Sequence, residues 1–223
     1  MDADVLRAAL FAAAGETQAV VNQFGLASRA GPGARLAADG DFRAALRRAL
    51  QLGRAETVSM QSGLGGHGVL EEPYDVVVAG RTRTPQLAVQ ISWHPRGEDH
   101  GGYVVDAMRE MLKMGLARAH GSVEQAAVVL AAPARFWRWL PAYTSDHPGL
   151  DVLDPDPETP VSITLDFLAG SAWDALFHSG LDAELPERLW SAAVASVPVA
   201  SPWVDIEVRM LEVKGLGAIN PVR

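Results

Sequence analysis

Hydrophobic positions recur at helical spacing in two parts of the chain and at strand spacing in several others. Phe42, Ala45, Leu46, Ala49 and Leu50 form a helical stripe, with Asp41 placed to cap it and Gly53 to end it. Arg43, Arg47 and Arg48 fall on its opposite face. Val105, Met108, Leu112 and Leu116, widened by Val104, Met111 and Ala119, predict a second helix over 103–120. Its polar stripe is Asp106, Arg109, Glu110 and Lys113, expected to be a solvated face with ion pairs one turn apart. The Ala- and Leu-rich stretch 4–24 predicts one or two further helices, broken near Gly15.

Between the two striped segments lie three strand candidates, 56–61, 74–79 and 86–93. In the third, Leu87, Val89 and Ile91 share one face and Gln90 and Ser92 the other. Ala126–Ala131 is wholly apolar, as a strand buried on both faces should be. Residues 134–140 then predict a helix, and the Pro- and Asp-rich stretch 148–160 a loop and candidate boundary. Beyond it the pattern predicts a strand over 161–168, short helices over 172–178 and 186–195, and a long strand over 203–213. The alternation of that last strand (Val204, Ile206, Val208, Met210) shifts at Leu211 and Val213, which predicts a bulge. The expected class is α/β: a helix, three strands, helix, strand core with extra N-terminal helices in residues 1–150, and an acidic α+β extension packed on it in 151–223.

Composition narrows the chemistry. The 223 residues include no cysteine, which removes thiol nucleophiles, disulfides and Cys-ligated metals. The net charge of −8 is uneven: residues 1–150 carry 15 acidic and 15 basic side chains, residues 151–223 carry 12 and 4. Such an acidic third repels polyanions. Only two lysines occur, Lys113 and Lys214, beside 17 arginines, so lysine chemistry has few candidates. No apolar run approaches the ~18 residues of a membrane span, and the first residues, Met1-Asp2-Ala3-Asp4, are acidic where a signal peptide would be basic. A cytoplasmic protein that does not enter membranes is the expectation.

The segment Pro73-Tyr74-Asp75-Val76-Val77-Val78, a turn, and then Leu87-Ala88-Val89-Gln90-Ile91-Ser92-Trp93, followed by a helix and a buried strand, resembles the restriction-endonuclease-like superfamily, whose signature is PD-(D/E)xK. The resemblance covers roughly residues 41–132. It implies a centre in which two carboxylates and a backbone carbonyl hold one or two Mg²⁺ ions that activate water, while a lysine steadies the developing charge. Asp75 matches the first acid. Gln90 stands at the second acid and Ser92 at the lysine. Gln90 still offers a neutral oxygen to a cation, but affinity follows ligand charge, and Ser92 supplies no positive charge. The motif is therefore degenerate. Displaced groups that would restore it are Glu56 on the preceding strand and Lys113 on the following helix. The bland alternative for Asp75 is a polar residue at a strand start.

Other strings are weaker. Asp205 with Glu212-Val213-Lys214 repeats the motif on a single strand, where a rise of ~3.3 Å per residue keeps its ends apart. Gly63-Leu64-Gly65-Gly66-His67-Gly68 matches a dinucleotide-binding string but is not followed by a helical pattern. His94, Glu98, Asp99 and His100 are loop residues with weak metal-binding character. Arg135-Phe136-Trp137-Arg138-Trp139 mixes cations with aromatics as a base-stacking platform does, although Phe136 and Leu140 are spaced for a core.

The expectation is a catalytically degenerate nuclease-like protein that binds nucleic acid or a protein partner, in DNA processing or defence, with no cofactor. Its rival is an active Mg²⁺-dependent nuclease with Asp75 and Gln90 as metal ligands and a migrated group. A structural subunit that assembles as a homo-oligomer is the third class.

Overall fold

The computed structural model describes residues 1–28, 33–52, 57–64, 72–80, 82–94, 99–165, 185–200 and 205–220. Seven strands form one sheet: β1 (Val58–Ser62), β2 (Tyr74–Val78), β3 (Leu87–Trp93), β4 (Gln125–Pro133), β5 (Val161–Thr164), β6 (Leu185–Ala200) and β7 (Asp205–Asn220), in the order β1-β2-β3-β4-β7-β6-β5. Strands β1 to β3 form an antiparallel meander, and β4 runs parallel to β3 from Leu87↔Gln125 to Trp93↔Ala131. A parallel pair requires a crossover, which α3 (His100–Ala119) supplies. Helices α1 (Ala3–Ser28), α2 (Gly33–Gln51) and α4 (Ala134–Asp146) complete a mixed α/β fold with four helices among the described residues. Residues 33–133 thus run helix, three strands, helix, strand.

Both faces of the sheet are covered. Leu6, Leu10 and Val21 of α1 and Phe42, Leu46 and Leu50 of α2 pack against Val76, Val78, Val89, Val129 and Val208. On the other face, Met108, Met111, Leu112 and Leu116 of α3 and Phe136 and Leu140 of α4 pack against Ala88, Val128, Leu130, Leu211 and Val213. This explains the all-apolar β4, which is buried from both sides. Helix α3 approaches β7 closely, through glycines. A Cβ on Gly115 would lie 2.6 Å from Leu189 Cδ1, and one on Gly215 would lie 2.5 Å from the Gly115 carbonyl oxygen.

Several expectations change. Helix α1 runs unbroken through Gly15, where an added Cβ would meet nothing within 4 Å. Asp41 lies inside α2, which begins at Gly33, so it is no cap. Residues 186–195 are strand β6, not a helix, because they pair with β7 along nearly its whole length. Val105 is exposed, and the apolar side of α3 is wider than the stripe, reaching Tyr103, Ala107 and Met114. β7 keeps strict alternation: Ile206, Val208 and Met210 face α1 and α2, while Leu211 and Val213 face α3. Of the two register shifts, the one beside Leu211 lies on β6, at Val194 between Ala193↔Leu211 and Ala195↔Met210, and the other lies further along, between Pro186↔Ile219 and Arg188↔Leu216, with the extra residue on β7. The expected helix over 172–178 lies outside the described residues.

The stretch 148–160 carries a 3-10 turn, Asp151–Leu153, whose Val152 and Leu153 join the core, and whose Val152 carbonyl accepts from the buried Ser191 hydroxyl at 2.7 Å. The acidic last third is continuous with the rest through the β4–β7 ladder, Ala126↔Val213 to Pro133↔Ile206. Among the described residues no helix is long and apolar enough to cross a membrane.

Candidate functional site

The carboxyl ends of the parallel strands β3 and β4 point to one edge of the sheet, where open α/β sheets place their ligands. Strand β2 begins at that edge. Its register with β3 (Val76↔Val89, Val77↔Ala88) carried one step further sets Asp75 opposite Gln90. Asp75 and the 90–92 segment therefore meet.

The Asp75 side chain is only 13% exposed, and the protein itself engages both of its oxygens. Oδ2 accepts the Ile91 backbone N–H at 2.7 Å. Oδ1 is paired with Arg43 Nη1 from α2. The same guanidinium donates from Nη2 to the Ile91 carbonyl at 3.0 Å and from Nε to Asp39 Oδ1 at 2.7 Å. Burial works against the charge of Arg43, but Asp75 and Asp39 outweigh it and hold the guanidinium above its ordinary range. The sequence pattern puts Arg43 on the face of the helix opposite its apolar stripe. Its only legible signal was the i,i+4 spacing from Asp39, which suits an ion pair on a helix.

A second polar group lies under α3. Lys113 is 2% exposed, so the polar stripe of this helix is solvated at Asp106 but buried at its Lys113 end. Its ammonium donates to the Pro73 carbonyl at 3.2 Å and to Glu72 Oε2 at 3.4 Å, and lies 4.5 Å from the centre of the Tyr74 ring. Glu72 Oε1 in turn accepts from Arg109 at 2.7 Å. Glu72, just ahead of β2, is thus the partner that sequence reasoning missed. Burial raises the Glu110 carboxyl above its ordinary value; Lys113 and Arg109 pull it down, while Asp75 and Glu72 add to the rise. Glu110 Oε2, Gln90 Oε1 and the Tyr74 hydroxyl are buried without a hydrogen-bond partner. Burial also pushes the Tyr74 hydroxyl up, with Glu72 and Glu110 adding to it. Ser92 is buried, and its carbonyl accepts the Tyr103 hydroxyl at 3.0 Å. Glu56 lies outside the described residues.

These residues do not fit a Mg²⁺ centre. Both oxygens of Asp75 are committed, positions 90 and 92 carry no charge, and no three His, Asp or Glu side chains among the described residues are placed to share an ion.

The remaining strings resolve into structure. Asp205 and Lys214 lie at opposite ends of the β4-paired part of β7, and Lys214 pairs with Glu212 at 3.1 Å and lies over the Trp190 ring. Asp99 caps α3, its Oδ1 accepting the Gly102 N–H at 2.8 Å. His94 Nε2 and His100 Nδ1 are 3.3 Å apart, and His94 stacks on Tyr103. Burial, aided by His100 and Arg135, lowers His94 to about 4, so at neutral pH it is an uncharged ring. Glu98 and most of the 63–68 glycine string lie outside the described residues. Phe136 and Trp137 are buried, so they form no stacking platform. Trp137 donates from Nε1 to the Glu207 carbonyl at 3.1 Å and lies 4.0 Å beneath the guanidinium of Arg209. A cavity of about 730 Å³ opens beside that arginine, lined in part by Arg7, Pro141, Asp154 and Ser196.

No protein family, no curated protein and no solved structure matches this chain.

Proposed function

We propose that the chain is a nuclease-like protein with a degenerate centre, which acts by binding a partner and not by cutting phosphodiesters. The order helix, three strands, helix, strand over residues 33–133 supports a restriction-endonuclease-like core, and the bond from the Ile91 N–H to Asp75, between positions 90 and 92, supports its location. The decisive feature is Lys113. It is the one lysine on the neighbouring helix, and Glu72, the Pro73 carbonyl and the Tyr74 ring hold it. With Gln90 and Ser92 uncharged, no lysine among the described residues of the centre is left free as the mobile cation that phosphoryl transfer needs for its developing charge. The 12 acidic against 4 basic side chains of the last third favour a protein partner over naked nucleic acid.

One assay tests this. Plasmid and single-stranded DNA are incubated with the protein in Mg²⁺ or Mn²⁺, alongside Asp75→Ala. No cutting is expected from either protein. Cutting by the parent that the variant lacks ends the binding-only proposal. DNA retention in a gel-shift that falls steeply with salt would make nucleic acid the partner.

One observation favours an active enzyme instead. Glu110 offers a buried, unpartnered carboxylate oxygen within electrostatic reach of Asp75, as a migrated acid would. In that case cutting occurs and is lost in both Asp75→Ala and Glu110→Gln.

A further inference from the structure

We infer that the Arg43 guanidinium stands in the place of the divalent cation: a permanent, covalently tethered charge fills an all-oxygen cradle made of Asp75, Asp39 and the Ile91 carbonyl. The inference rests on the proposed nuclease-like centre and deepens it.

Three nitrogens of one side chain meet three oxygens. Nη1 pairs with Asp75 Oδ1, Nη2 donates to the Ile91 carbonyl at 3.0 Å, and Nε donates to Asp39 Oδ1 at 2.7 Å. Two carboxylates and one backbone carbonyl are the donor types that a hard divalent cation takes. An ordinary surface arginine pairs with one carboxylate and leaves the rest of its fork to water. This one reaches the sheet edge from α2 and spans β2 and β3, at the residue that separates positions 90 and 92. The geometry also accounts for the missing charge at position 90. With the second carboxylate coming from Asp39 and the cation carried by the chain itself, a neutral glutamine there creates no imbalance. Gln90 Oε1, buried and unpartnered, is the oxygen such an arrangement leaves over. The charge also cannot leave. A guanidinium stays protonated at any pH the fold survives, so the centre holds its shape without metal.

The experiment removes the tethered charge and asks whether a free cation replaces it. Mn²⁺ is titrated calorimetrically into the full chain, into Arg43→Ala and Arg43→Gln, and into Arg43→Ala/Asp75→Asn. The parent is expected to take up no Mn²⁺ at millimolar concentration. Each single variant is expected to bind one ion with Kd of about 10⁻⁴ M, the range of weak oxygen-ligand sites, and the double variant to lose at least tenfold. A single variant that is unfolded alone should be folded by Mn²⁺, read by circular dichroism. Stoichiometric uptake by the parent overturns the inference. So do single variants that neither bind nor fold with the ion, or binding that survives in the double variant. The DNA-cutting assay separates this from the underlying proposal. A parent that cuts nothing, with Arg43 variants that bind nothing, leaves a degenerate centre in which Arg43 is an ordinary ion-pair partner.

Discussion

Two arginines in this molecule hold two carboxylates each, and their surroundings differ. Arg209 on β7 joins Asp154 and Glu207 and lies over the Trp137 ring. Its polar neighbours among the described residues are partnered: Ser196 donates to Glu207 Oε1 at 2.8 Å, and Trp137 Nε1 to the Glu207 carbonyl at 3.1 Å. Arg43 on α2 joins Asp75 and Asp39 across the end of the sheet, in the same region as four buried polar atoms that have no partner, on Tyr74, Gln90, Trp93 and Glu110. Structural ion-pair networks end satisfied, because a buried unpaired group costs about 1–3 kcal/mol and gains nothing for the fold. Groups left unpaired are what sites retain. A cavity lies beside Arg209 while the unpaired groups lie beside Arg43, so that cavity and this chemistry mark different places. Chemistry is the better guide to this site.

The sharpest way to break the comparison is to delete each arginine. Arg43→Ala leaves Asp75, 13% exposed, without its counter-charge and the Ile91 carbonyl without a donor. The expected loss is about 3 kcal/mol, the lower end for breaking a buried pair, read as a fall in the urea midpoint at constant slope. A loss under about 1 kcal/mol, the value of a surface pair, would mean that the guanidinium is not part of the centre. Arg209→Ala should cost less, about 2 kcal/mol, as charged hydrogen bonds and a ring contact are lost. Its carboxylates Asp154 and Glu207 are 22% and 28% exposed and can turn to water. If the order of the two losses reverses, Arg209 and not Arg43 is the tighter knot.

What could be read from the sequence follows the range of the interactions. The hairpin and the buried β4 depend on alternation and apolar runs, which are local, and they stand at 74–78, 87–93 and 125–133. β6 did not stand. Its Ala192, Ala193 and Ala195 favour helix by propensity, but pairing with β7 from Leu185↔Asn220 to Ala200↔Asp205 overrides so weak a preference. The site divides in the same way. Asp75 and Gln90 were legible because a hairpin sets their register over a short span of chain. Arg43 meets Asp75 from another layer of the fold, and Lys113 meets Glu72 from 41 positions away. Helical periodicity shows that a lysine is off the apolar stripe, and it does not show that another element covers it. Buried polar partnerships between distant segments leave no periodic trace.

The smallest effect is the most specific to the unpaired chemistry. Burial raises Glu110 above the ordinary carboxyl value, so the folded state holds its proton at pH values where the unfolded chain has released it. Stability from this group is therefore complete below the ordinary glutamate range, and it falls as pH rises from there through the folded value. Glu110→Gln removes the ionisation. At neutral pH the variant should be more stable than the parent by about 1 kcal/mol, the low end of the cost of a buried group without a partner. The two should converge in acid, where the parent is protonated as well. Urea midpoints measured from pH 4 to 8 give both slopes. Asp154 is raised by burial and pulled back by Arg209, just as Glu110 is by Lys113 and Arg109, but Asp154 Oδ1 accepts from Arg209 while Glu110 Oε2 has no hydrogen-bond partner. A Glu110→Gln variant that is less stable at neutral pH would show that the ionised carboxylate has a partner in solution. If Mn²⁺ then stabilised the parent and not the variant, that partner would be a metal, and the migrated-acid enzyme would displace the binding protein.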